Sequence, residues 1–198
     1  MRGNKTQGKS QQKLRIIGGQ WRSRQISFPT VPGLRPTGDR IRETLFNWLA
    51  PDIAGARCLD LFAGSGALCF EALSRGAATC TALECHPDAT NQLRDNKALL
   101  LADNLSIVET DAQQYLRRDG PEQGYNIVFI DPPFDGHMHN DICEAVNNSL
   151  WLAPNALIYC ELPATDNRFV PPPNWRLKQE KLAGEVKYRL YSYIEPKA

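Results

Sequence analysis

The chain has 198 residues, of which 42% are hydrophobic and 23% charged, so it is long enough for one globular domain with a substantial core. No apolar run approaches the roughly 18 residues that a membrane-spanning helix needs, and no apolar stretch follows the basic N-terminus as in a secretory signal peptide. We therefore expect a cytoplasmic protein. The six cysteines include no C-x-x-C pair, and we expect buried, reduced thiols rather than disulfides or metal ligands.

The net charge of +1 conceals an uneven distribution along the chain. The 38 residues before Asp39 contain eight of the 23 basic side chains and no acidic one. The rest of the chain therefore contains 15 basic and 22 acidic side chains. A cationic arm on an acidic body is typical of proteins that bind a polyanion such as nucleic acid. The alternative is a disordered tail that only aids solubility.

The N-terminal part of the chain changes character near residue 13. Residues 1–12 are rich in Lys, Gln, Gly and Ser and are predicted to be disordered. A hairpin follows, with strands at Leu14–Ile17 and Trp21–Phe28 joined through a Gly-Gly turn. Because side chains alternate along a strand, we expect Arg22 and Arg24 to share one face.

After a proline-rich loop, the sequence predicts a helix that Thr37 or Asp39 caps and that ends near Leu49, since apolar residues recur there at helical spacing. Several cations lie just before the helix or in its first turns, where they oppose the helix dipole. Helix stability therefore does not explain their position, which favours a functional role such as contact with phosphate over a purely structural one. These residues are Arg35, Arg40 and Arg42.

A β-turn-α-β unit follows. It consists of a strand at Arg57–Phe62, a tight turn at Ala63–Gly66, a helix at Ala67–Ser74 and a second strand at Ala78–Leu83 that ends at Glu84. An acidic residue about 20 positions after the glycines is typical of a nucleoside-binding crevice.

The residues of this unit indicate which nucleoside ligand it binds. Cys69 stands where a dinucleotide-binding loop has its third glycine, and the Asp60 carboxylate would repel a pyrophosphate, so a nicotinamide-linked oxidoreductase is disfavoured. S-adenosylmethionine carries a sulfonium and an ammonium, which suit a carboxylate. Glu84 can accept hydrogen bonds from ribose hydroxyls.

Further along, a helix is predicted over 87–101 and a short strand at Leu105–Val108. Asp111, which follows the strand, can accept hydrogen bonds from an adenine amino group or cap a helix over 112–118, and the two roles are compatible.

The segment N-I-V-F-I-D-P-P-F combines a buried strand with polar and aromatic groups at its carboxyl end. Ile127–Ile130 is apolar throughout, as in a parallel strand buried on both faces, and the two prolines after Asp131 stop it. Ligands bind at this end of open α/β sheets. The alternative is a strand stop that caps the next helix.

Two histidines follow this segment. His137 and His139 are interpreted as part of a mobile loop near the substrate rather than as metal ligands, because no third ligand is evident. The remaining elements are a helix at 141–150, a strand at 156–161 and a closing antiparallel pair at 175–181 and 187–193. Strands that alternate with helices predict a mostly parallel sheet with an antiparallel edge.

Four stretches resemble one family: R-I-I-G-G-Q-W-R-S-R, L-R-P-T-G-D-R-I-R-E-T-L-F-N-W-L, L-D-L-F-A-G-S-G-A-L and D-P-P-F. They are similar to the RsmD (YhhF) family of bacterial 16S rRNA guanine-N2 methyltransferases, and the resemblance extends from Leu14 to about Tyr193. It implies a class I S-adenosylmethionine-dependent methyltransferase with a Rossmann-like, mostly parallel seven-stranded sheet and an antiparallel edge. The expected organisation is a basic disordered tail (1–12), an RNA-contacting hairpin and helix (13–50) and a methyltransferase domain (51–198).

The resemblance also implies roles for individual residues. The expected cofactor-binding residues are Asp60, Phe62, Gly64, Ser65, Gly66, Glu84, Asp111, Ala112 and Asp131. The expected catalytic residues are Asp131, Pro132, Pro133 and Phe134. From their charge and position in the basic arm and at the helix start, the expected RNA-binding residues are Arg22, Arg24, Arg35, Arg40 and Arg42. No metal is expected.

The substrate that the resemblance implies is one guanine in the head of the 30S subunit, near the P site, with ribosomal proteins as further contacts of a monomeric enzyme. Other readings remain open: adenine-N6 methylation of DNA, glutamine methylation of a protein, or a non-catalytic ribosome assembly factor. The basic arm argues against a protein substrate, and the chain is too short for a separate DNA-recognition domain.

Overall fold

In the computed structural model, residues 11–133, 138–147 and 150–195 are described. The chain begins with an antiparallel hairpin of β1 (Gln11–Arg15) and β2 (Gln25–Pro29), followed by helix α1 (Asp39–Trp48). The predicted hairpin is present, but its second strand begins at Gln25 because residues 20–23 form a turn. Strand β1 begins two residues inside the tail predicted to be disordered; the rest of that tail lies outside the described residues.

Seven further strands form one sheet in the order β5-β4-β3-β6-β7-β9-β8. The strands are β3 (Arg57–Asp60), β4 (Thr79–Glu84), β5 (Leu105–Glu109), β6 (Tyr125–Ile130), β7 (Leu152–Pro163), β8 (Trp175–Ala183) and β9 (Val186–Tyr193). The helices between them are α2 (Ala67–Ser74), α3 (Pro87–Leu100), α4 (Ala112–Leu116) and α5 (His139–Asn147). Strands β3 to β7 pair in parallel, and β9 runs antiparallel to β7 and β8. The predicted fold is therefore confirmed.

Two hydrophobic clusters cover the two faces of the sheet. Ile127 and Phe129 of β6 belong to one cluster, and Val128 and Ile130 belong to the other, because successive side chains of a strand point to opposite faces. This double burial explains the uninterrupted apolar run in the sequence. No helix in the described ranges is long and apolar enough to cross a membrane.

The N-terminal hairpin is fastened to α2 by buried polar contacts. The carboxylate of Glu71, which is fully buried, accepts hydrogen bonds from the backbone N–H groups of Ile17 and Gly18, each at 2.8 Å. Gly19 has φ of 74°, and a Cβ there would lie 1.7 Å from the carbonyl oxygen of Ser74. Only glycine fits so close to α2, and the hairpin consequently packs in the same core as the sheet.

Candidate functional site

The carboxyl ends of β3, β4, β5 and β6 bring together the acidic residues singled out in the sequence. Asp60 ends β3, Glu84 ends β4, and Asp131 directly follows β6. From β3 the chain continues to β4 on one side of the sheet, whereas β6 pairs with β3 on the other side. The crevice between β3 and β6 is thus the point at which the strand order reverses, where ligands bind in folds of this class.

The glycine turn after β3 lies in this crevice and is held by Glu84. Gly64 and Gly66 have φ of 50° and 81°, and a Cβ at Gly66 would lie 2.6 Å from the Phe70 ring. The Glu84 carboxylate accepts one hydrogen bond from the N–H of Gly64 at 2.9 Å and another from the N–H of His86 at 2.7 Å. The carboxylate therefore has a fixed orientation beside the turn.

Asp60 has an unsatisfied carboxylate oxygen. The side chain is 2% exposed, and its Oδ1 accepts a long hydrogen bond of 3.4 Å from the N–H of Phe62. Its Oδ2 has no hydrogen-bond partner within the described parts of the chain. Burial, with a smaller contribution from the nearby Asp131, raises the pKa of Asp60 to about 7. A buried carboxylate oxygen without a partner is costly, and a cationic group on a ligand would satisfy it.

Asp111 has the capping role that the sequence left open. Its Oδ1 accepts a hydrogen bond of 3.0 Å from the N–H of Gln114, and Asp111 is the N-cap of α4. The neighbouring Ala112 is buried at the start of the same helix. Helix α4 ends at Leu116, two residues earlier than predicted.

Asp131 is held by a residue from a distant part of the chain. The hydroxyl of Thr37 donates a hydrogen bond of 3.2 Å to its Oδ2, and burial raises the pKa of this half-buried carboxyl. The prediction that Thr37 or Asp39 caps α1 is wrong, because the N-cap is Gly38, without a side-chain hydrogen bond. Thr37 was missed as a site residue, although it lies in one of the stretches quoted above.

Comparisons with known proteins agree on one family. The family model described as "Conserved hypothetical protein 95" matches residues 14–192. The chain is 50% identical to ribosomal RNA small subunit methyltransferase D of Escherichia coli K12 over 179 residues, which cover 90% of this chain and 89% of the relative. The corresponding Haemophilus influenzae protein is 42% identical over 90% of this chain and 93% of its own length. The chain belongs to this family.

Solved structures support the same assignment. The structure of yhhF from Escherichia coli superposes with a TM-score of 0.84 at 48% identity and covers 93% of this chain and all of its own. An RNA methyltransferase from Salinibacter ruber, solved with S-adenosyl-L-homocysteine, has a TM-score of 0.63 at 16% identity, over 83% of this chain and 97% of its own, and shares the fold. The family resemblance found in the sequence is therefore confirmed.

The family's D-P-P-F segment is described as far as Pro133. Pro132 is buried and Pro133 is exposed, whereas Phe134 and His137 lie outside the described residues. His139 was predicted to lie in a loop, and this prediction is wrong because His139 begins α5. It is buried, and its Nε2 lies 2.7 Å from the carbonyl oxygen of Glu161.

Of the five arginines predicted to bind RNA, four are exposed and one, Arg42, is buried. Arg22, Arg35 and Arg40 are exposed, and Arg35 and Arg40 lie within three residues of Thr37. Arg24 is exposed too, but its Nη2 donates a hydrogen bond of 2.8 Å to the carbonyl oxygen of Leu99. Arg22 lies in the turn and Arg24 follows it, so the prediction that they share a strand face is wrong.

Arg42 is a structural residue rather than an RNA contact. Its side chain is 1% exposed and pairs with Asp39 at 2.6 Å and with the buried Glu71 at 3.4 Å. It also donates a hydrogen bond of 3.0 Å to the carbonyl oxygen of Arg15, which joins α1 to the hairpin. The prediction that Arg42 binds phosphate is wrong, because its guanidinium is shielded from solvent and already paired with the carboxylates of Asp39 and Glu71.

Proposed function

We propose that this protein transfers a methyl group from S-adenosylmethionine to the exocyclic N2 of one guanine in 16S rRNA. The observation that carries the proposal is the pair of carboxylates at the ends of adjacent strands. Asp60 has a buried oxygen without a hydrogen-bond partner in the described parts of the chain, and Asp131 is held near it by Thr37. Methylation of small-subunit rRNA is the activity in the names of relatives that are up to 50% identical.

The crevice fits the cofactor group by group. The free oxygen of Asp60, next to the close-packed glycine turn, suits the cationic methionine end. The fixed Glu84 carboxylate suits the ribose hydroxyls, and Asp111 with the backbone of Ala112 suits the adenine. Bound S-adenosylmethionine supplies an electrophilic methyl group on a sulfonium.

Asp131 would act on the guanine amine. This amine is a poor nucleophile, because its lone pair is delocalised into the ring. The Asp131 carboxylate and the main-chain carbonyl of Pro132 can accept its two hydrogens, which favours a pyramidal nitrogen with its lone pair directed at the methyl group. Most of the rate gain would come from this positioning. Phe134 would stack on a base that has been turned out of its helix.

The exposed arginines would hold the RNA backbone. Arg35 and Arg40 flank Thr37, which contacts Asp131, so phosphates bound there would lie on the side from which the base enters. The substrate would be the 30S subunit with ribosomal-protein contacts, bound by a monomeric enzyme in the cytoplasm.

Transfer of a labelled methyl group tests this proposal. 30S subunits that lack the modification, free 16S rRNA, duplex DNA and ribosomal protein are offered as acceptors, and the products are digested to nucleosides or amino acids. We expect label in N2-methylguanosine, mainly from 30S subunits. Label in N6-methyladenine or in glutamine would refute the proposal that the acceptor is N2 of a guanine in 16S rRNA. Tight cofactor binding without any transfer would indicate a non-catalytic assembly factor.

A further inference from the structure

A second cationic region lies on the C-terminal hairpin of β8 and β9, far along the chain from the basic arm. From Asp39 onward the chain contains 15 basic and 22 acidic side chains, yet β8, β9 and their turn carry five basic and only two acidic ones. Strand β8 forms the edge of the sheet, and its residues 176–182 are all exposed. A basic region on an acidic body is typical of a surface that meets a polyanion.

The two faces of β8 differ in charge. Three of its side chains point to the face of the sheet on which α1 packs, as their partners on β9 do; they are Arg176, Gln179 and Lys181. On the opposite face, Glu180 is paired with Arg189 at 2.6 Å, and Leu177 and Leu182 are exposed. Within the described residues, no ion pair involves Arg176 or Lys181. On the α1 face, β8 therefore presents cations that are available to a ligand, and no carboxylate.

The strand register places Lys181 in line with the candidate site. Strands β6 and β7 pair so that Asp131 and Glu161 are neighbours at the carboxyl edge of the sheet. Glu161 lies opposite Tyr188 on β9, and Tyr188 lies opposite Lys181 on β8. Neighbouring strands are about 4.8 Å apart, so this row spans about 14 Å. At about 3.4 Å per nucleotide of a helical strand, the same distance corresponds to about four nucleotides.

Helix α1 provides a surface between these two points. Arg40 and Trp48 are eight residues apart, a spacing that places both on roughly the same side of a helix, and both are at least partly exposed. Arg40 lies three residues after Thr37 of the candidate site, and the Trp48 ring lies 5.3 Å from the Tyr188 ring, next to Lys181. The exposed side of α1 thus leads from the site to the α1 face of β8.

We propose that the α1 face of β8 binds the backbone of a single-stranded RNA segment next to the target nucleotide, with Trp48 as a stacking surface for one base. The inference deepens the proposed function and rests on it, because it takes RNA as the substrate. A base stacks on an aromatic ring while neighbouring phosphates meet cations, which are here Lys181 and Arg176. Cations on an edge strand can also prevent it from pairing with another chain, and that role predicts self-association rather than weaker RNA binding when they are removed.

The salt dependence of 30S binding tests this surface without any methyl transfer. R176A/K181A should weaken binding and reduce the slope of log affinity against log salt concentration by about one to two, because up to two phosphate contacts are lost. Lys187 lies opposite Leu182 on the other face of the same hairpin, so K187A is the matched control and should leave the slope unchanged. A wild-type slope in R176A/K181A would overturn the proposal, and self-association of that variant in light scattering would then assign the cations to protection of the edge.

Trp48 reports on the same path. The other three tryptophans are buried, whereas Trp48 is half-buried. Protein labelled with 7-azatryptophan can be excited apart from ribosomal tryptophan and titrated with 30S subunits. We expect the emission to change on binding in the wild type but not in W48F, which keeps an aromatic ring against Tyr188. An emission that stays constant at saturation, or that changes equally in W48F, would overturn the path along α1.

The surface and the proposed function can fail separately. R176A/K181A should raise KM for 30S subunits and leave kcat near the wild-type value, because Lys181 and Arg176 are remote from the reacting atoms. If the binding slope falls as expected but the wild type methylates no acceptor, the surface stands and the proposed function fails. If the wild type forms N2-methylguanosine and the slope is unchanged in the variant, the proposed function stands and the surface fails.

Discussion

Replacement of Asp60 by asparagine should strengthen the folded apoprotein and weaken cofactor binding. Burial raises the pKa of Asp60 from 3.8 to about 7. Each tenfold change in proton affinity is worth about 1.4 kcal/mol, so keeping this group ionised in the folded chain costs about 4 kcal/mol. Asparagine has nearly the same shape and no charge, and it therefore removes this cost.

The sign of the pH dependence follows from the raised pKa. Below about pH 4 the carboxyl is protonated in both the folded and the unfolded chain, and it has no net effect. Between about pH 4 and 7 the unfolded chain loses the proton while the folded chain retains it, so the free energy of unfolding falls as the pH rises. Above about pH 7 the full cost is present. D60N should therefore raise the Tm of the apoprotein at pH 8 by about 8–16 °C and change it little at pH 4.

The same substitution removes the partner that we propose for the cofactor's cation. Loss of one member of a buried charge pair costs about 2 kcal/mol or more, which corresponds to a Kd for S-adenosylmethionine that is roughly 30-fold higher or more. Thermal unfolding at pH 4 and 8 and calorimetric titration measure the two effects on one sample. Asp103→Asn, at an exposed position, is the matched control and should change neither. A D60N protein with unchanged cofactor affinity, or with lower Tm at pH 8, would refute the reasoning.

Further predictions concern the acceptor side, the RNA surface, the buried arginine and proton release. D131N should lower kcat about 100-fold or more while S-adenosylmethionine still binds, and wild-type turnover would remove Asp131 from the chemistry. The double variant R35A/R40A should weaken 30S binding and reduce the slope of log affinity against log salt concentration by up to about two. An unchanged slope would exclude this surface from RNA binding. R42A should instead lower the free energy of unfolding by about 1.5–3 kcal/mol in chemical denaturation, because it removes the contacts of Arg42 with Glu71 and with the Arg15 carbonyl while Glu71 keeps its ion pair with Arg75. A wild-type stability would contradict that account. Cofactor binding should release a proton near pH 7 as Asp60 ionises, so calorimetric heats should depend on the buffer's ionisation enthalpy, and buffer-independent heats would speak against it.

The features that the sequence predicted well are local ones. The run Ile127–Ile130 followed by two prolines predicted a buried strand and its end, and β6 ends at Ile130. The glycines after Asp60 predicted a tight turn, and Gly64 and Gly66 both have positive φ. In each case the residues that determine the conformation are neighbours in the chain, so the pattern alone identifies it.

The errors concern residues whose partners are distant in the sequence. Threonine is a residue type that often caps helices, but the hydroxyl of Thr37 contacts Asp131, 94 residues away. Arg42 was expected to reach phosphate, yet Glu71 of another helix draws it into the core. Glu161 was predicted only as the end of a strand, and its proximity to Asp131 becomes visible once the register of β6 and β7 is known. Charge and local pattern do not reveal such pairings.

The central claim is that this protein methylates N2 of a guanine in small-subunit rRNA through Asp131. It is tested most directly by mass spectrometry of nucleosides from 16S rRNA of cells that lack this protein, complemented with the wild type or with D131N. We predict that N2-methylguanosine at one site is lost in the deletion strain, returns with the wild type and stays absent with D131N. An N2-methylguanosine content that does not change in the deletion strain, or that D131N restores in full, would contradict the account.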